Sequence, residues 1–169
     1  YQVNQMNAKE LIELYKAGER DFSGVDLSYK NLMSENLSHL NLSNVDLNNA
    51  HLAHADLTGT NLTGANLRHA NLYAAQLCNT NFTNADLSYA HLDVDLEKTN
   101  LIGAIFWRAE LRTDLRNVNL NKVNLNGTNL ELSNLEGVDM SGRYIRDNQF
   151  SRTKLRFANL SRTILGGLF

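Results

Sequence analysis

Among the side chains that could act as nucleophiles, acid–base catalysts or metal ligands, this sequence has five histidines and a single cysteine. The histidines are His39, His51, His54, His69 and His91. An enzyme needs converging groups of matched pKa, and a zinc site needs several ligands at one point. His51 and His54 could form a metal pair, but solvent-facing histidines are the favoured interpretation. Cys78 has no catalytic partner in the sequence, and we expect a surface thiol. With no phosphate-binding loop or dinucleotide fingerprint, the sequence predicts a protein that is not an enzyme and holds no cofactor or metal.

The charged side chains are unevenly spread, although the formal net charge is only −2. Residues 1–141 carry ten basic and seventeen acidic side chains, whereas residues 142–169 carry six basic ones and a single acid. The six basic residues are Arg143, Arg146, Arg152, Lys154, Arg156 and Arg162. This basic end indicates an anionic partner at one end of the molecule or head-to-tail contact, and a solvated charged cap is an equal alternative.

The elements that must position these side chains follow from a period of five residues. From Phe22 onwards a large apolar residue, which we call the centre, recurs at 30 positions, and 24 of these are leucine. The sequence favours Ala, Val, Thr or Ser two residues before the centre, and Asn or Asp one residue before it. An α-helix would rotate successive centres by about 140°, and a straight strand would send alternate centres to opposite faces. The chain must therefore turn a corner every five residues, so that all centres face one axis.

The second position after the centre holds the residue types that tight turns require. Eight of the ten glycines stand there, together with several asparagines, and both types tolerate positive φ. Four such corners close a square coil of about 20 residues. Proline is absent from the chain, which fits a structure whose short sides must each pair their amides with the next coil.

The repeat resembles that of the pentapeptide-repeat proteins, whose motif reads small residue, Asn or Asp, Leu or Phe, and two variable residues. The segment Ala65-Asn66-Leu67-Arg68-His69 is one complete copy of this motif, and the match covers nearly the whole chain. The resemblance implies a right-handed quadrilateral β-helix of about 7–8 coils, with the centre and the small residue inward. We expect this solenoid over residues 20–167, an N-terminal segment with a capping helix over residues 1–19, and the C-terminal end at residues 168–169.

The N-terminal end of such a solenoid exposes an apolar cross-section that needs a cap. Asn7 with Glu10 three residues later forms a capping-box pattern, which predicts a helix near residues 7–17. Leu11, Leu14 and Tyr15 should lie on its inner face, over the first coil. A short helix leading into the repeats is similar to the start of several cyanobacterial members of the family, including regulators of heterocyst differentiation.

The C-terminal end has less sequence available for a cap. Leu168 and Phe169 could plug the last coil, or the open end could form a dimer interface, as it does in some family members. We therefore expect a monomer or a C-terminal end-to-end dimer. Arg143 and Asn148 stand where the motif has a small residue, and they predict an irregular corner or outward loop over residues 143–148.

Two steps of the repeat have four residues instead of five, from Leu92 to Leu96 and from Leu111 to Leu115. They lie one full coil apart, so we expect them to stack at the same corner and to preserve the hydrogen-bond register between coils. One interpretation is a flattened corner, comparable with a β-bulge. The other is a recognition notch, whose charged side chains would be Asp93, Asp95, Glu97, Arg112 and Arg116.

One side of the predicted rod carries an unusual share of large apolar residues. Assigning successive repeats to four sides places on it Tyr29, Tyr89, Ile105, Trp107 and Tyr144. Exposed aromatic rings flanked by polar groups are typical of protein interfaces, although outward tyrosines also simply suit strands. Tyr89 and Trp107 should lie on neighbouring coils, which makes this side the strongest interface candidate.

These features favour a non-enzymatic scaffold that binds a protein partner, of unknown identity, through the aromatic side or the basic end. The cyanobacterial resemblance adds a regulatory role. The alternative, also implied by the resemblance, is a DNA-mimicking protein that binds a type II topoisomerase. Residues 21–97 carry nine acids against Lys30 and Arg68, but the small net charge and the basic end argue against this role.

Composition also limits where the protein acts. The net charge gives no reason to expect direct nucleic-acid binding. No run of 18 apolar residues occurs, so we expect no membrane association through a spanning segment. No basic and apolar leader precedes a small-residue cleavage site, and we therefore predict a cytoplasmic protein.

Overall fold

The chain folds as a right-handed, four-sided β-helix preceded by one short helix, as the period of five predicts. The computed structural model describes residues 5–146 and 148–166, with the backbone alone at Leu165. Its regular elements are α1 (Ala8–Lys16), β1 (His91–Leu92), β2 (Glu110–Leu111), β3 (Tyr144–Arg146) and β4 (Ile164–Gly166). The strands pair in parallel, β1 with β2 and β3 with β4. Single parallel bridges, 19 or 20 residues apart along the chain, join most of the remaining coils.

The bridge spacing defines four sides, which we number in the order in which the chain first visits them. Sides 1 to 4 begin with the centres Phe22, Leu27, Leu32 and Leu37, and all four of these residues are buried. Their counterparts in the following coils stack above them in one continuous apolar core, which extends to Ile145. The prediction that centres and small residues face the axis is therefore confirmed through most of the rod.

A regular repeat uses all five of its backbone amides. Leu47 and Asn49 donate to carbonyls of the next coil at 2.8 and 2.9 Å, and Asp46 donates to a carbonyl of the preceding coil at 3.0 Å. Ala50 closes the corner on the Leu47 carbonyl at 2.9 Å. The fifth amide, that of Asn48, donates to the Asp46 side chain at 2.9 Å. This last bond explains the Asn or Asp before each centre, and the full use of amides explains why proline is excluded.

The corners have the backbone conformation that their residue types predict. The second residue after the centre lies in the left-handed region, with φ of +66° at Gly59 and +57° at Asn49. Larger residues adopt the same conformation, including Ala74 at +54° and Tyr89 at +62°. These positions carry a local steric cost that the inter-coil ladder must offset.

The helix α1 caps the first coil. The Asn7 side chain accepts the Glu10 amide at 2.8 Å, as the capping pattern predicts. Leu11 is fully buried, and Ile12 and Tyr15 pack against the core. The prediction for Leu14 is wrong, because it is 37% exposed. Ile12 takes its place, since the contact face of α1 is rotated toward it by less than a quarter of a turn.

The segment around Arg143 continues the ladder, so the prediction of an irregular or outward loop is wrong over its described residues. Tyr144–Arg146 form β3, and Ile145 is fully buried. Arg143 and Asn148 occupy the small-residue slots with their side chains turned inward. Asn148 donates to the Leu125 carbonyl at 2.7 Å, a bond of the kind that Thr60 makes with the Leu37 carbonyl at 2.7 Å. Polar inward residues fit here because carbonyls of the preceding coil accept from them.

The C-terminal coil is the least buried part of the rod. The centre Leu155 is only partly buried and the centre Leu160 is 37% exposed. Leu168 and Phe169, the residues predicted either to plug this end or to leave it to a second copy, lie outside the described residues. Neither outcome is therefore decided. Among the described residues, no helix has the length and the apolar character needed to cross a bilayer.

Candidate interaction surfaces

The five predicted aromatic-side residues belong to side 2, but they do not form one patch. Tyr29 lies in the first coil and Tyr144 near the other end, and their side chains are 71% and 61% exposed. Tyr89 and Trp107 lie on neighbouring coils, where the Tyr89 amide donates to the Trp107 carbonyl at 2.8 Å. Ile105 lies two residues before Trp107 on the same side, and its backbone pairs with that of Asp86. The structure thus brings together the middle three residues and separates the outer two.

Around Tyr89 the coil spacing stacks aromatic and cationic groups. The ring of His69, one coil away, lies parallel to the Tyr89 ring with centroids 4.6 Å apart. The Arg68 guanidinium lies 5.5 Å from the same ring, and it is held there by a 3.1 Å ion pair with Asp86. Desolvation of the half-buried carboxylate raises the Asp86 pKa, but the hydrogen bonds that it accepts from Ser88 and Arg68 together outweigh this effect, and the pKa is lowered. The ladder and these contacts fix the tyrosine ring in place.

Trp107 is held by the glycine of the next coil. Its ring covers Gly127 so closely that a Cβ at that position would lie 2.5 Å from the ring carbon Cε3. The Arg108 guanidinium lies 5.7 Å from the ring centre. Trp107 therefore turns toward the following coil, while Tyr89 turns toward His69 in the preceding one.

Side 3 adds a second aromatic row that the sequence reasoning missed. Tyr73 lies between His54, at 5.5 Å, and His91, at 6.1 Å between ring centroids. The His91 Nδ1 atom lies 3.1 Å from a Glu110 carboxylate oxygen of the next coil. The signal was the spacing of 18 or 19 residues between these positions, which becomes visible only when histidines and tyrosines are placed together. We call the surface formed by His69, Tyr73, Tyr89, His91 and Trp107 the aromatic corner.

The chemistry of the aromatic corner suits binding. In the part of the chain that the structure describes, no three His, Cys, Asp or Glu side chains converge as metal ligands. Cys78 is exposed on side 4, as predicted, and is not part of this surface. Rigid rings with cations above them can contact apolar, aromatic or anionic groups of a partner.

The two short steps stack as predicted. They are the turns that follow β1 and β2, and β1 pairs with β2 through His91–Glu110 and Leu92–Leu111. The prediction that they preserve the inter-coil register is confirmed on side 3. It is wrong on side 1, where no bridge joins Asn100, Asn119 and Asp139 among the described residues, and it is wrong on side 4. There no bridge joins Gln76, Asp95 and Asp114 among the described residues, because the shortened step no longer places Asp95 in line with its neighbours.

The charged residues of the short steps fall into two groups. Arg116 binds both carboxylate oxygens of Asp114, with its Nε atom at 2.9 and 3.0 Å. This contact lowers the pKa of Asp114 to about 2, and Arg112 lies 3.9 Å from Glu110. Asp93 and Asp95, by contrast, are exposed and make no salt bridge within the described residues. A groove of about 470 Å³ lies between these groups, and Asp93, Asp95, Arg112 and Asp114 are among its lining residues.

The predicted basic end is a ring around the rod. Arg146 lies on side 2, Arg152 on side 3, Lys154 and Arg156 on side 4, and Arg162 on side 1, all exposed. Arg143 does not join them, because its guanidinium donates inward to the Leu120 and Val123 carbonyls at 2.6 and 3.2 Å. Burial lowers the Arg143 pKa. The exposed positive charge at this end is therefore spread over all four sides of the rod, and Arg143, a predicted member of the basic end, is not part of it.

The sequence and the fold both match known proteins. The family described as Pentapeptide repeats matches in eight copies, over residues 21–52, 36–72, 60–93 and 113–142. No curated protein sequence matches significantly. Similar solved structures include three pentapeptide repeat proteins. HetL of the cyanobacterium Nostoc sp. strain PCC 7120, a pentapeptide repeat protein involved in heterocyst differentiation regulation, is 24% identical with a TM-score of 0.57, over 95% of this chain and 97% of its own. A second Nostoc pentapeptide repeat protein is 32% identical, over 73% of this chain and 98% of its own, with a TM-score of 0.41. A thylakoid-lumen pentapeptide repeat protein of Arabidopsis thaliana is 25% identical, over 66% of each chain, with a TM-score of 0.47.

Proposed function

Because the chain belongs to the pentapeptide-repeat family, we propose that it is a non-enzymatic scaffold that binds a partner protein through the aromatic corner. The observation that carries this proposal is the stacked pair of His69 and Tyr89 beside Trp107 on the next coil. Arginine, tyrosine and tryptophan are the residues that most often dominate binding energy at protein interfaces.

Rigidity makes this surface suitable for recognition. Each ring is anchored on a coil whose backbone is hydrogen-bonded to its neighbours, and Arg68 is fixed by Asp86 at 3.1 Å. Side chains that are already ordered lose little conformational entropy when a partner binds. The surface is also distinct from the rest of the rod, where most outward side chains are short and polar.

The finer proposal is a regulatory scaffold in a cyanobacterium. It is supported by the short capping helix that leads into the repeats, the feature that the sequence shares with cyanobacterial regulators of the family. The basic end is a second contact region within the same proposal, with five exposed cations around the last coils.

The test is a pull-down from the organism that makes this protein, followed by mass spectrometry, with Tyr89→Ala/Trp107→Ala as the disabling variant. Tyr29→Ala/Tyr144→Ala is the matched control, since it removes two rings of the same side in distant coils. We expect the wild type and the control to retain the same partner and the disabling variant to lose it, with unchanged circular dichroism. Retention of that partner by the disabling variant would contradict the proposal.

A DNA-mimicking role toward a type II topoisomerase is the second candidate function. The acidic body of the rod favours it, with nine acids over residues 21–97. The aromatic corner and the ring of cations do not resemble a phosphate backbone, so we rank this role lower. A gyrase supercoiling assay separates the two, because the scaffold proposal expects neither inhibition nor protection at micromolar protein.

A further inference from the structure

The C-terminal part of side 2 combines exposed apolar side chains with cations. In β3 the side chains alternate, so Ile145 is buried while Tyr144 and Arg146 point outward. The parallel pairing of β3 with β4 places Ile164 beside Tyr144. Tyr144 is 61% exposed and Ile164 is 50% exposed. Two large apolar side chains side by side on the surface of the rod are a candidate contact for another molecule.

Two further cations flank this pair at the corner between sides 1 and 2. Lys122 and Arg162 each stand second after a centre of side 1, two coils apart. Both have a left-handed backbone, with φ of +58° and +55°, and both are exposed. Within the described residues, neither they nor Arg146 form a salt bridge. Their charge is therefore available to a partner.

A groove of about 270 Å³ lies beside Tyr144, and Lys122 and Arg143 are among its lining residues. Its origin is the size of Arg143, which occupies a slot that most repeats fill with a small residue. The guanidinium donates to the Val123 carbonyl, which in a regular repeat would accept the amide of Tyr144. The bridge between Asn124 and Tyr144 is missing within the described residues. The larger side chain thus prevents the two coils from pairing at this point.

Arg143 brings an incompletely neutralised charge to this groove. Its guanidinium donates to the Leu120 and Val123 carbonyls at 2.6 and 3.2 Å, and a guanidinium has further N–H donors beyond these two bonds. Asp139 attracts it, but no salt bridge joins the two side chains in the part of the chain that the structure describes. Desolvation outweighs that attraction and lowers the Arg143 pKa. A half-buried cation without a carboxylate partner favours an anion that supplies one.

Two asparagine side chains add amide donors to the groove. In a regular column, the Asn66 side chain donates to the Asp46 carboxylate of the preceding coil at 3.1 Å. Asn124 instead pairs with Ile105 of the preceding coil, whose side chain has no acceptor. Asn124 and Asn126 both use their side-chain oxygens as acceptors for backbone amides. Their side-chain nitrogens have no acceptor among the described residues, and both residues line the groove.

The charge of the surroundings limits what can bind here. Among the described residues, side 2 carries no carboxylate beyond Asp86. In the sequence, residues 142–169 hold one acid, Asp147, which lies outside the described residues. The body of the rod is acidic, so a long polyanion such as duplex DNA would be repelled beyond this surface. A short acidic segment of a protein avoids that repulsion, and a groove of this volume suits its side chains better than a whole small molecule.

We propose that this surface, which we call the side-2 basic face, binds a short acidic segment of a partner protein. Its residues are Lys122, Asn124, Asn126, Arg143, Tyr144, Arg146 and Ile164. A carboxylate of the segment would enter the groove and meet Lys122 and Arg143. An apolar side chain beside it would pack on Tyr144 and Ile164. The proposal rests on the proposed role as a scaffold, but the face uses no residue of the aromatic corner, and the acidic segment can belong to a different partner.

The probe is the synthetic peptide acetyl-Glu-Glu-Leu-Glu-Glu-Leu-amide, added to 15N-labelled full-length protein. We expect saturable shifts of the Lys122, Tyr144 and Arg146 amide signals that weaken as salt is raised. The indole N–H signal of Trp107, the single tryptophan of the chain, should not shift, which separates this face from the aromatic corner. The counterparts acetyl-Gln-Gln-Leu-Gln-Gln-Leu-amide and acetyl-Glu-Glu-Ser-Glu-Glu-Ser-amide should each bind about tenfold more weakly, because each keeps one of the two kinds of contact.

A pair of matched charge variants tests the cations. Lys122→Gln/Arg146→Gln should lower the affinity for the peptide about tenfold, with unchanged circular dichroism. Lys154→Gln/Arg156→Gln removes the same charge from side 4 and should change the affinity by less than about twofold.

Arg143→Thr tests the groove itself. Threonine in this slot can donate to the Leu120 carbonyl, as Thr60 donates to the Leu37 carbonyl at 2.7 Å. The two coils should then pair regularly, and the peptide should bind about tenfold more weakly with retained circular dichroism. Should this protein fail to fold, the exposed pair Lys122→Gln/Arg146→Gln decides the proposal alone.

Several results would overturn the proposal. Absence of binding at millimolar peptide, equal binding of the glutamine counterpart, or full binding by folded Arg143→Thr would each remove the acidic contact. Equal losses in the two charge variants would show diffuse electrostatic attraction only. Shifts of the Trp107 signal alone would place the peptide on the aromatic corner. Concentration-dependent shifts of the face without peptide would show that a second copy occupies it, and a stronger response to an oligothymidylate would show a nucleic-acid site.

Discussion

Replacing Thr60 by valine should destabilise the rod more than the same change at Thr80. Both threonines fill small-residue slots and are buried. Each donates its hydroxyl to a centre carbonyl of the preceding coil, Thr60 to Leu37 at 2.7 Å and Thr80 to Leu57 at 2.8 Å. Valine has the same shape and cannot donate, so each change removes one hydrogen bond and leaves the packing intact.

The two carbonyls differ in what remains to bind them. The Leu57 carbonyl also accepts the Thr60 amide at 3.0 Å, so it keeps a partner in Thr80→Val. The Leu37 carbonyl has no other donor among the described residues, so Thr60→Val leaves a buried acceptor unpaired. A lost hydrogen bond costs about 0.5–1.5 kcal/mol, whereas an unpaired buried carbonyl costs about 1–3 kcal/mol. We therefore expect Thr60→Val to be more destabilising by about 1 kcal/mol.

Urea unfolding of the two variants, monitored by circular dichroism, measures this difference in the free energy of unfolding. The gain from burying a methyl group instead of a hydroxyl is common to both variants and cancels in the comparison. In thermal unfolding, 1 kcal/mol corresponds to a difference of about 2–4 °C for a chain of this size. Equal losses, or a larger loss in Thr80→Val, would refute the reasoning that an unpaired carbonyl is the source of the effect.

Three further predictions concern the corners, the ladder and the acids. Ala74→Gly should raise the free energy of unfolding by up to about 1 kcal/mol in urea unfolding, because φ at Ala74 is +54°; a loss of stability would contradict the steric argument. In hydrogen exchange measured by NMR, the Leu77 amide should exchange well before that of Leu57, which donates at 2.9 Å; equal protection would mean that side 4 is closed in solution. The Asp114 pKa of about 2, held down first by hydrogen bonds from Arg116, lies below its ordinary value of 3.8, so its stabilising contribution is complete above pH 4 and is lost as pH falls toward 2. Because both side chains are half exposed, wild type and Asp114→Asn should differ by less than about 1 kcal/mol at pH 7 and converge near pH 2, and a difference that grows in acid would reverse the assigned sign.

The coil could be predicted from the sequence because the period of five is incompatible with both a helix and a straight strand. Every centre had to face one axis, and the burial of Leu27, Leu67 and Leu130 confirms it. The helix α1 was also predictable, since the spacing of Asn7 and Glu10 is typical of a helix N-terminus. These conclusions depend on local rules repeated many times, and so they tolerate exceptions at single positions.

What the sequence could not predict depends on side-chain direction and on small shifts of the backbone. Arg143 looked like a surface cation, but the carbonyls of the preceding coil accept its guanidinium at 2.6 and 3.2 Å. The stacking of Tyr73 with His91 depends on which way each ring turns, and no motif encodes that. The loss of bridges around Asp95 and Asn119 within the described residues was missed for another reason. A shortened step can be absorbed by the corner or by the ladder, and only the backbone geometry decides between them.

The strand β1 links two of the candidate surfaces. His91 belongs to the aromatic corner, where its ring lies 6.1 Å from that of Tyr73, and Asp93 follows β1 directly into the groove of about 470 Å³ beside the short steps. Asp93 stands two residues after His91, and the ladder of side 3, which carries Tyr73 and His91, is unbroken over the described residues. A partner that covers side 3 would therefore meet both surfaces at a fixed separation. Because the ladder is rigid, the two surfaces do not move relative to each other. A partner that contacts both must therefore match the separation that the rod already has.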